Sequence, residues 1–196
     1  MYMLCYYTKI MPKTGKKRIT ILQKNNPLLR KVSFPVPLGK VKSVETRKII
    51  KDLARVMSSQ GDAIAISAVQ IGKPIRLFMI SKKAFNIIER PEERRTRKDM
   101  VFINPKITKT SKTKQLLEEG CLSVRYVYGN VLRSEKAGIE AFDENGKKFS
   151  RGFSGLLAQV VQHEVDHLNG ILFIDKATDL QEVSPEEYEK SLKSSL

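Results

Sequence analysis

The chain contains only two histidines, and both lie in the stretch QHEVDHLNG at residues 162–170. On a helix, side chains four residues apart lie on the same face, so His163 and His167 can direct their ring nitrogens at one ion. Glu164 lies about 100° around the helix from His163, where its carboxylate can reach a water molecule held by that ion. This H-E-x-x-H spacing is typical of zinc hydrolases, although two surface histidines on a solvated helix would give the same pattern.

Two histidines leave a catalytic metal site incomplete, because such an ion usually takes three protein ligands and a water molecule. Cys121 is the candidate third ligand, since it follows Gly120 in the segment EGCLS, where the backbone can bend close to an ion. The alternative for Cys121 is a small buried apolar side chain. Two nitrogens and a thiolate accept Fe²⁺, Zn²⁺, Ni²⁺ or Co²⁺, so the sequence alone does not select the metal.

The helix that carries the histidines is predicted over residues 154–170. Ser154 is expected to cap its N-terminus, and Asn169-Gly170 is expected to end it. Leu156 and Val160 continue the histidine stripe toward the N-terminus, so the metal is expected beside an apolar wall.

The remaining elements are expected to surround this helix. A second amphipathic helix is predicted over residues 45–61, where Gly61 stops it, and the charged segment 82–100 is predicted to be a surface loop. Residues 136–153 are expected to form a hairpin that turns at Asn145-Gly146. Strands are predicted at residues 19–23, 75–80 and 101–108. The pattern indicates an α+β fold, with short antiparallel strands packed around a central metal-binding helix in a single domain.

The length of 196 residues fits one domain, and the composition is that of an ordinary globular protein, with 41% apolar and 29% charged residues. Residues 1–18 are expected to be a flexible basic extension, with an organellar presequence as the less favoured alternative. Residues 19–180 are the expected catalytic domain, and residues 181–196 a tail or short helix. Two cysteines, Cys5 and Cys121, do not make a disulfide scaffold, so a reducing compartment is expected.

The net charge of +15 is concentrated near the N-terminus, because residues 1–60 hold 14 lysines and arginines against 2 acidic residues. Such a field attracts polyanions such as RNA. The alternative explanation is solubility. No apolar run approaches the roughly 20 residues that span a bilayer, so no membrane contact is expected.

The motifs resemble those of the peptide deformylase family. EGCLS (119–123) and QHEVDHL (162–168) match two of its signature motifs, and AIAISAVQIG (63–72) occupies the place of the third, GxGxAAxQ. LLRKVSFPV, FINPKI and NGILFID also follow the family's order, so the resemblance covers residues 19–176. It implies a metal-dependent hydrolase that removes the formyl group from the N-terminal formyl-methionine of nascent polypeptides and releases formate.

The resemblance implies that Cys121, His163 and His167 bind the metal, for which Fe²⁺ is the expected physiological ion and Zn²⁺, Ni²⁺ or Co²⁺ are alternatives in a purified sample. A metal ion brings the pKa of its water toward ~7, and the hydroxide attacks the formyl carbonyl. The resemblance also implies that Glu164 is the acid/base. The Gln70 amide and the Leu122 backbone N–H are the implied donors to the oxyanion.

The substrate's methionine side chain needs an apolar slot beside the metal. Ile64, Leu156 and Val160 are the candidates, although each could equally be plain core. Asp166 is expected to orient a ligand or to pair with Arg133, the alternative being a solvated charge on the helix.

The first motif departs from the family pattern, because Ala63 and Ala65 replace glycines and Ser67 replaces an alanine. Gly120 and Ala65 are expected to lie against the substrate, where the alanine methyl narrows the cleft. If position 65 needed positive φ, the loop would have to reshape at a cost on the order of 1 kcal/mol. Arg125 stands where many relatives have proline. Tyr126 and Tyr128 are expected to form a rim for the part of the peptide that follows the methionine.

Two rival functions fit parts of the sequence. A general zinc peptidase would also use H-E-x-x-H, but no further histidine or glutamate ligand is evident. A basic module that binds ribosomal RNA around a structural metal would explain the charge, but a three-ligand site leaves an open position that structural sites normally close. The favoured hypothesis is a monomeric, cytoplasmic, bacterial-type enzyme that acts on N-formyl-methionyl peptide ends and transiently contacts the ribosome through its basic surface.

Overall fold

The computed structural model describes residues 19–60, 63–88 and 98–194. The expected N-terminal extension, with Cys5, and the expected helix stop at Gly61 lie outside these ranges. The helices are α1 (Val44–Ser59), α2 (Lys82–Ile88), α3 (Gly155–Leu168) and α4 (Pro185–Ser194). The strands are β1 (Ala65–Ser67), β2 (Leu77–Ile80), β3 (Met100–Thr110), β4 (Lys114–Cys121), β5 (Val124–Ser134), β6 (Lys136–Phe142), β7 (Lys148–Ser154) and β8 (Thr178–Glu182).

The strands of the described chain form two antiparallel sheets. One has five strands in the order β1-β2-β3-β6-β7, and the other has three in the order β4-β5-β8. Helix α3 packs against strands of both sheets, and α1 packs against β1 and β2. The predicted α+β class, with short antiparallel strands in a single domain, is confirmed.

Strand β2 is buried on both faces, which explains why its sequence LFMI is apolar throughout. Leu77 and Met79 belong to the cluster around α1, whereas Phe78 and Ile80 belong to the cluster around α3. The five-stranded sheet is therefore covered by a helix on each face. This arrangement fixes α3, the helix with the histidines, against a rigid sheet.

The proline in β3 lies at a break in the strand pairing. The register between β3 and β6 shifts between Ile103 and Lys106, and Pro105 lies at that shift. Proline cannot donate a ladder hydrogen bond, so it is tolerated at such an irregularity. The strand predicted over residues 101–108 is therefore a central strand that is irregular at Pro105.

The predicted hairpin at residues 136–153 is formed by β6 and β7, with Gly146 at φ 75° in the turn. Helix α3 ends as predicted at Asn169-Gly170, since Gly170 has φ 76° and the Ile171 N–H donates to the Asp166 carbonyl at 3.0 Å. At its other end the prediction was wrong in part, because the Ser154 side chain makes no capping hydrogen bond.

Two predicted elements were wrong. Residues 19–23 form no strand: the Leu22 N–H donates to the Gln70 carbonyl at 2.8 Å, but the described chain shows no strand ladder along this segment. Their apolar side chains pack against the cores instead. The segment expected to be a loop from residue 82 begins with helix α2, which buries Ala84 and Phe85.

The C-terminal segment continues the fold past residue 180. Strand β8 pairs with β5 across that position, and α4 follows it. Ser184 begins α4 by accepting a hydrogen bond from the Glu187 N–H, and the Glu187 carboxylate accepts one from the Ser184 N–H. None of the helices in the described ranges is long and apolar enough to cross a membrane.

Candidate active site

Three potential metal ligands come together where β4 ends against α3. The ligand atoms of Cys121, His163 and His167 all lie within 4.8 Å of one another. The Cys121 sulfur is 3.1 Å from Nε2 of His167. The two histidines lie on the same face of α3, and their rings meet edge to face with centroids 4.9 Å apart. The structure therefore brings together the three candidate ligands that the sequence suggested.

The backbone around Cys121 explains why the thiol reaches the helix. The pairing of β4 with β5 shifts between Gly120 and Cys121, so the last residue of β4 leaves the regular ladder. A tight turn over residues 122–123 then leads into β5. The Ser123 N–H donates to the Cys121 sulfur at 3.4 Å, which orients the side chain.

The donor set fits a divalent cation. Nδ1 of His163 is hydrogen-bonded to Glu119 at 2.9 Å, which leaves Nε2 for the ion. Burial lowers the pKa of His163, but its contacts with Cys121 and Glu119 raise it well above the ordinary value, so the space between these groups favours positive charge. Burial lowers the pKa of His167 well below its ordinary value and keeps that ring neutral, the form that binds metals.

A buried ion-pair network supports the ligands from behind. Arg133 donates to both carboxylate oxygens of Glu119, at 2.7 and 2.9 Å, and to Asp166 at 2.6 Å. Only 4% of the Arg133 side chain and 3% of the Glu119 side chain are exposed. Lys176 completes the network from the surface, with Nζ 2.7 Å from Asp166. The expected pairing of Asp166 with Arg133 is thus present in the structure.

The network controls the ionisation of Glu119. Burial raises the pKa of its carboxyl, but hydrogen bonds from His163 and Arg133 outweigh burial and lower the pKa from 4.5 to about 2. Glu119 therefore stays ionised at neutral pH and can hold the imidazole of His163 through its Nδ1–H.

Glu164 lies beside the ligand cluster in a different environment. Its side chain is buried, and burial raises the pKa of its carboxyl above the ordinary value. The hydroxyl of Ser67 donates a hydrogen bond to its Oε2. A buried carboxylate with a raised pKa is suited to exchanging protons near neutral pH.

The amide of Gln70 is fixed on both sides. Its Oε1 accepts a hydrogen bond from the Ser67 N–H at 2.8 Å, and its Nε2 donates to the Ser123 hydroxyl at 3.1 Å. Nε2 also lies 3.6 Å from the Cys121 sulfur, so the donor points toward the ligand cluster. The Leu122 carbonyl accepts a hydrogen bond from the Gln23 side chain at 3.1 Å, which holds the peptide between Leu122 and Ser123.

A cavity of about 310 Å³ opens onto these groups. All five residues predicted to contact substrate line it, namely Ile64, Ala65, Gly120, Leu156 and Val160. Cys121, His163, Glu164, Gln70 and Leu122 line it as well. The cavity has the size of an ordinary small-ligand site, with an apolar wall and a few convergent polar groups.

The departures from the family motif leave the backbone unstrained. Ala63 and Ala65 both line the cavity, and neither has a positive φ. Their effect is therefore limited to the space that the two methyl groups occupy in the cleft. Arg125 also lines the cavity, and its guanidinium donates to Gln60 at 2.5 Å. The aromatic lining includes the predicted Tyr126 and Tyr128, together with Tyr188 of α4.

Sequence reasoning missed several residues that shape the site. Glu119 is the first letter of EGCLS and could have been recognised as a partner for a ligand histidine. Ser67 was noted only as a departure from the motif. Lys176 and Tyr188 lie outside the motifs, and no local signal marks them, because only the folded chain brings them to the site.

Comparison with known proteins gives consistent matches. The family model described as polypeptide deformylase matches residues 19–183. A peptide deformylase from Psychrobacter cryohalolentis is 39% identical over 165 residues, which are 84% of this chain and 82% of that protein. The structure of a peptide deformylase from Synechococcus elongatus in complex with actinonin is similar, with a TM-score of 0.69, 30% identity, and coverage of 93% of this chain and 88% of that one.

A third match is a Met-Ala-Ser-bound structure of a class I type b peptide deformylase from Acinetobacter baumannii. Its TM-score is 0.70 at 28% identity, over 81% of this chain and 97% of that chain.

Proposed function

The chain belongs to the polypeptide deformylase family, and from this premise we propose that it removes the formyl group from the N-terminal formyl-methionine of nascent polypeptides. The observation that carries the proposal is the cluster of Cys121, His163 and His167, with ligand atoms within 4.8 Å, beside a buried Glu164. The products are formate and a free α-amino group. The Met-Ala-Ser peptide bound by the relative from A. baumannii supports this class of substrate.

Cys121, His163 and His167 would hold one divalent cation, for which Fe²⁺ is the proposed physiological ion. A divalent cation supplies hydroxide near neutral pH, because it lowers the pKa of water that it binds. Glu119 keeps Nε2 of His163 directed at the cluster by accepting the hydrogen bond from Nδ1. Zn²⁺, Ni²⁺ and Co²⁺ match the same donor set and are expected in aerobically purified samples.

The remaining steps belong to side chains of this chain. Glu164 accepts a proton from the attacking water molecule and later passes it to the leaving amine. The Gln70 amide and the Leu122 N–H donate hydrogen bonds to the oxyanion of the tetrahedral intermediate, and one such donor typically contributes about 3 kcal/mol. The methionine side chain enters the apolar part of the cavity, which is lined by Ile64, Leu156 and Val160.

Anaerobic purification followed by elemental analysis and a formate-release assay on formyl-Met-Ala-Ser tests the proposal. We expect one divalent metal per chain and formate release that a chelator abolishes. Internally cleavable peptides serve as the control, and we expect no cleavage of them. Peptide-bond cleavage without formate release would favour a general peptidase, and metal binding without hydrolysis would favour a structural RNA-binding role.

We further propose that the enzyme works as a cytoplasmic monomer and contacts ribosomes transiently through its basic surface. The net charge of +15 supports this proposal, since nascent chains emerge beside a polyanionic RNA surface.

A further inference from the structure

Ser67 contacts both of the side chains proposed for proton transfer and oxyanion stabilisation. Its hydroxyl donates to Oε2 of Glu164, and its backbone N–H donates to Oε1 of Gln70 at 2.8 Å. Ser67 is fully buried and is not among the residues that line the cavity. Ser67 therefore contacts the two side chains from outside the cavity lining.

The two contacts of Ser67 are chemically separable. The family motif GxGxAAxQ has alanine at this position, and an alanine would keep the backbone N–H that holds Gln70. Of these two contacts, only the hydrogen bond to Glu164 would be lost. The hydroxyl is thus a feature of this chain that the motif does not explain.

The hydroxyl restricts the carboxylate of Glu164. Among the described residues, Ser67 is the one hydrogen-bond donor to this carboxylate, and it contacts Oε2. A glutamate side chain has several rotatable bonds, and a hydrogen bond at one oxygen reduces the orientations that the carboxylate samples. The other oxygen, Oε1, is then left to exchange a proton in the cavity, which Glu164 lines.

We propose that Ser67 is a positioning residue that holds the Glu164 carboxylate in the orientation required for proton transfer. The inference rests on the proposed function, because it assumes that Glu164 is the acid/base. It goes beyond the motif, which assigns no role to a side-chain hydroxyl at this position.

Steady-state kinetics of metal-loaded variants on formyl-Met-Ala-Ser test the proposal. We expect Ser67→Ala to lower kcat about tenfold, because a hydrogen bond to a charged group is lost. We expect KM to stay within about twofold, since Ser67 does not line the binding cavity. Ser67→Thr keeps the hydroxyl and should restore kcat. Metal content, measured for each variant, should not change.

A matched control is available in Ser33, which is also buried and whose hydroxyl has no hydrogen-bond partner among the described residues. Ser33→Ala removes the same atom from a buried position that does not line the cavity, and we expect wild-type kcat and KM. Equal losses in the Ser33 and Ser67 variants would mean that general packing, not the contact to Glu164, is responsible.

A double-mutant cycle with Glu164→Gln isolates the contact. In that background, measured under single-turnover conditions at high enzyme concentration, Ser67→Ala should change the rate by no more than about twofold. The proposal is overturned by an unchanged kcat in Ser67→Ala, by a loss confined to KM, or by an equal loss in both Glu164 backgrounds. A wild-type enzyme that releases no formate would instead refute the proposed function itself.

Discussion

At the scale of single residues, the pKa values of two buried glutamates near the candidate ligands are shifted in opposite directions. The pKa of Glu119 is lowered to about 2, because hydrogen bonds from His163 and Arg133 outweigh burial. The pKa of Glu164 is raised, because burial dominates there. The first glutamate is suited to orienting a ligand as a permanent anion. The second is suited to receiving and releasing protons.

Replacing Glu164 with glutamine tests its role. General acid–base groups contribute about 100- to 10,000-fold, so we expect kcat to fall by a factor in this range. The metal content should equal that of the wild type, because Glu164 is not among the three clustered ligands. Formate release and elemental analysis on the same preparation measure both quantities. Turnover at the wild-type rate would rule out Glu164 as the acid/base.

Replacing Glu119 with glutamine tests the network behind the ligands. Removal of the negative charge leaves Arg133 buried with Asp166 alone, and breaking such a pair costs about 3–5 kcal/mol of the free energy of unfolding. Metal affinity should fall about 10- to 100-fold, because His163 loses its orienting partner. Urea unfolding and chelator competition measure the two effects.

The matched control is Glu140→Gln, which breaks the exposed pair with Lys148 at 3.0 Å. An exposed pair contributes about 0–1 kcal/mol, so this variant should differ little from the wild type. Similar losses in both variants would show that the buried network contributes no more to stability and metal affinity than an exposed ion pair does.

At the scale of elements, helix α3 depends on how its C-terminal end meets the chain near residue 30. Gly170 has φ 76°, and a Cβ at this position would lie 2.5 Å from the Arg30 carbonyl oxygen. Both the backbone conformation and the available space therefore require glycine. Because His167 is only three residues earlier, a distortion here reaches the ligand directly.

Gly170→Ala should lower the free energy of unfolding by more than the ~1–2 kcal/mol that a left-handed residue costs, since a backbone clash adds to it. Thermal or urea unfolding of the apo protein gives the value. Gly152→Ala is the matched control, because a Cβ there meets nothing within 4 Å. We expect that variant to be as stable as the wild type or slightly more stable. Equal stability of the two variants would contradict the proposed clash.

The sequence predicted elements well where one pattern dominated a whole segment. Helix α3 and the hairpin of β6 and β7 have clear periodicity or a defined turn, and they were found near their true limits. Residues 19–23 have the composition of a strand, but they lie against the cores without a ladder. Helix α2 was hidden by the charged residues that follow it. Among the side chains that the structure describes in this helix, Ala84 and Phe85 are buried, so tertiary packing decided the outcome.

The residues of the candidate site also differ in whether the sequence could predict them. The proximity of the candidate ligands and Glu164 could be predicted, because short motifs place them on one helix and one bend. Glu119, Ser67 and Lys176 reach the site through long-range contacts, for which a single sequence gives no distance. Their contributions follow from the sheet and helix arrangement rather than from spacing along the chain.

At the scale of the whole molecule, the excess of 36 lysines and arginines over 21 acidic residues gives the protein a strongly positive field. A field of this sign accelerates encounters with polyanions and weakens as salt screens it. The cavity itself is lined by residues of both charges, among them Glu118, Glu119 and Arg125.

The affinity for ribosomes should fall steeply with salt concentration, because each phosphate contact releases counterions. Sedimentation of the protein with purified ribosomes over a range of potassium chloride concentrations measures the slope. As a control, formate release from the short peptide formyl-Met-Ala-Ser, whose one charge is its C-terminal carboxylate, should depend only weakly on salt. Ribosome binding that is independent of salt would exclude docking by charge.

The bend after β4 also determines where the chain can tolerate changes in length. Side chains alternate between the two faces of a strand, so one residue inserted into the paired part of β4 would shift Gly120, and the bend that follows it, out of register with β5. The turn at residues 111–113, between β3 and β4, could absorb the same insertion without changing that alternation. In natural or engineered variants, additions and losses of single residues should therefore collect in this turn and be absent from the strand that follows it.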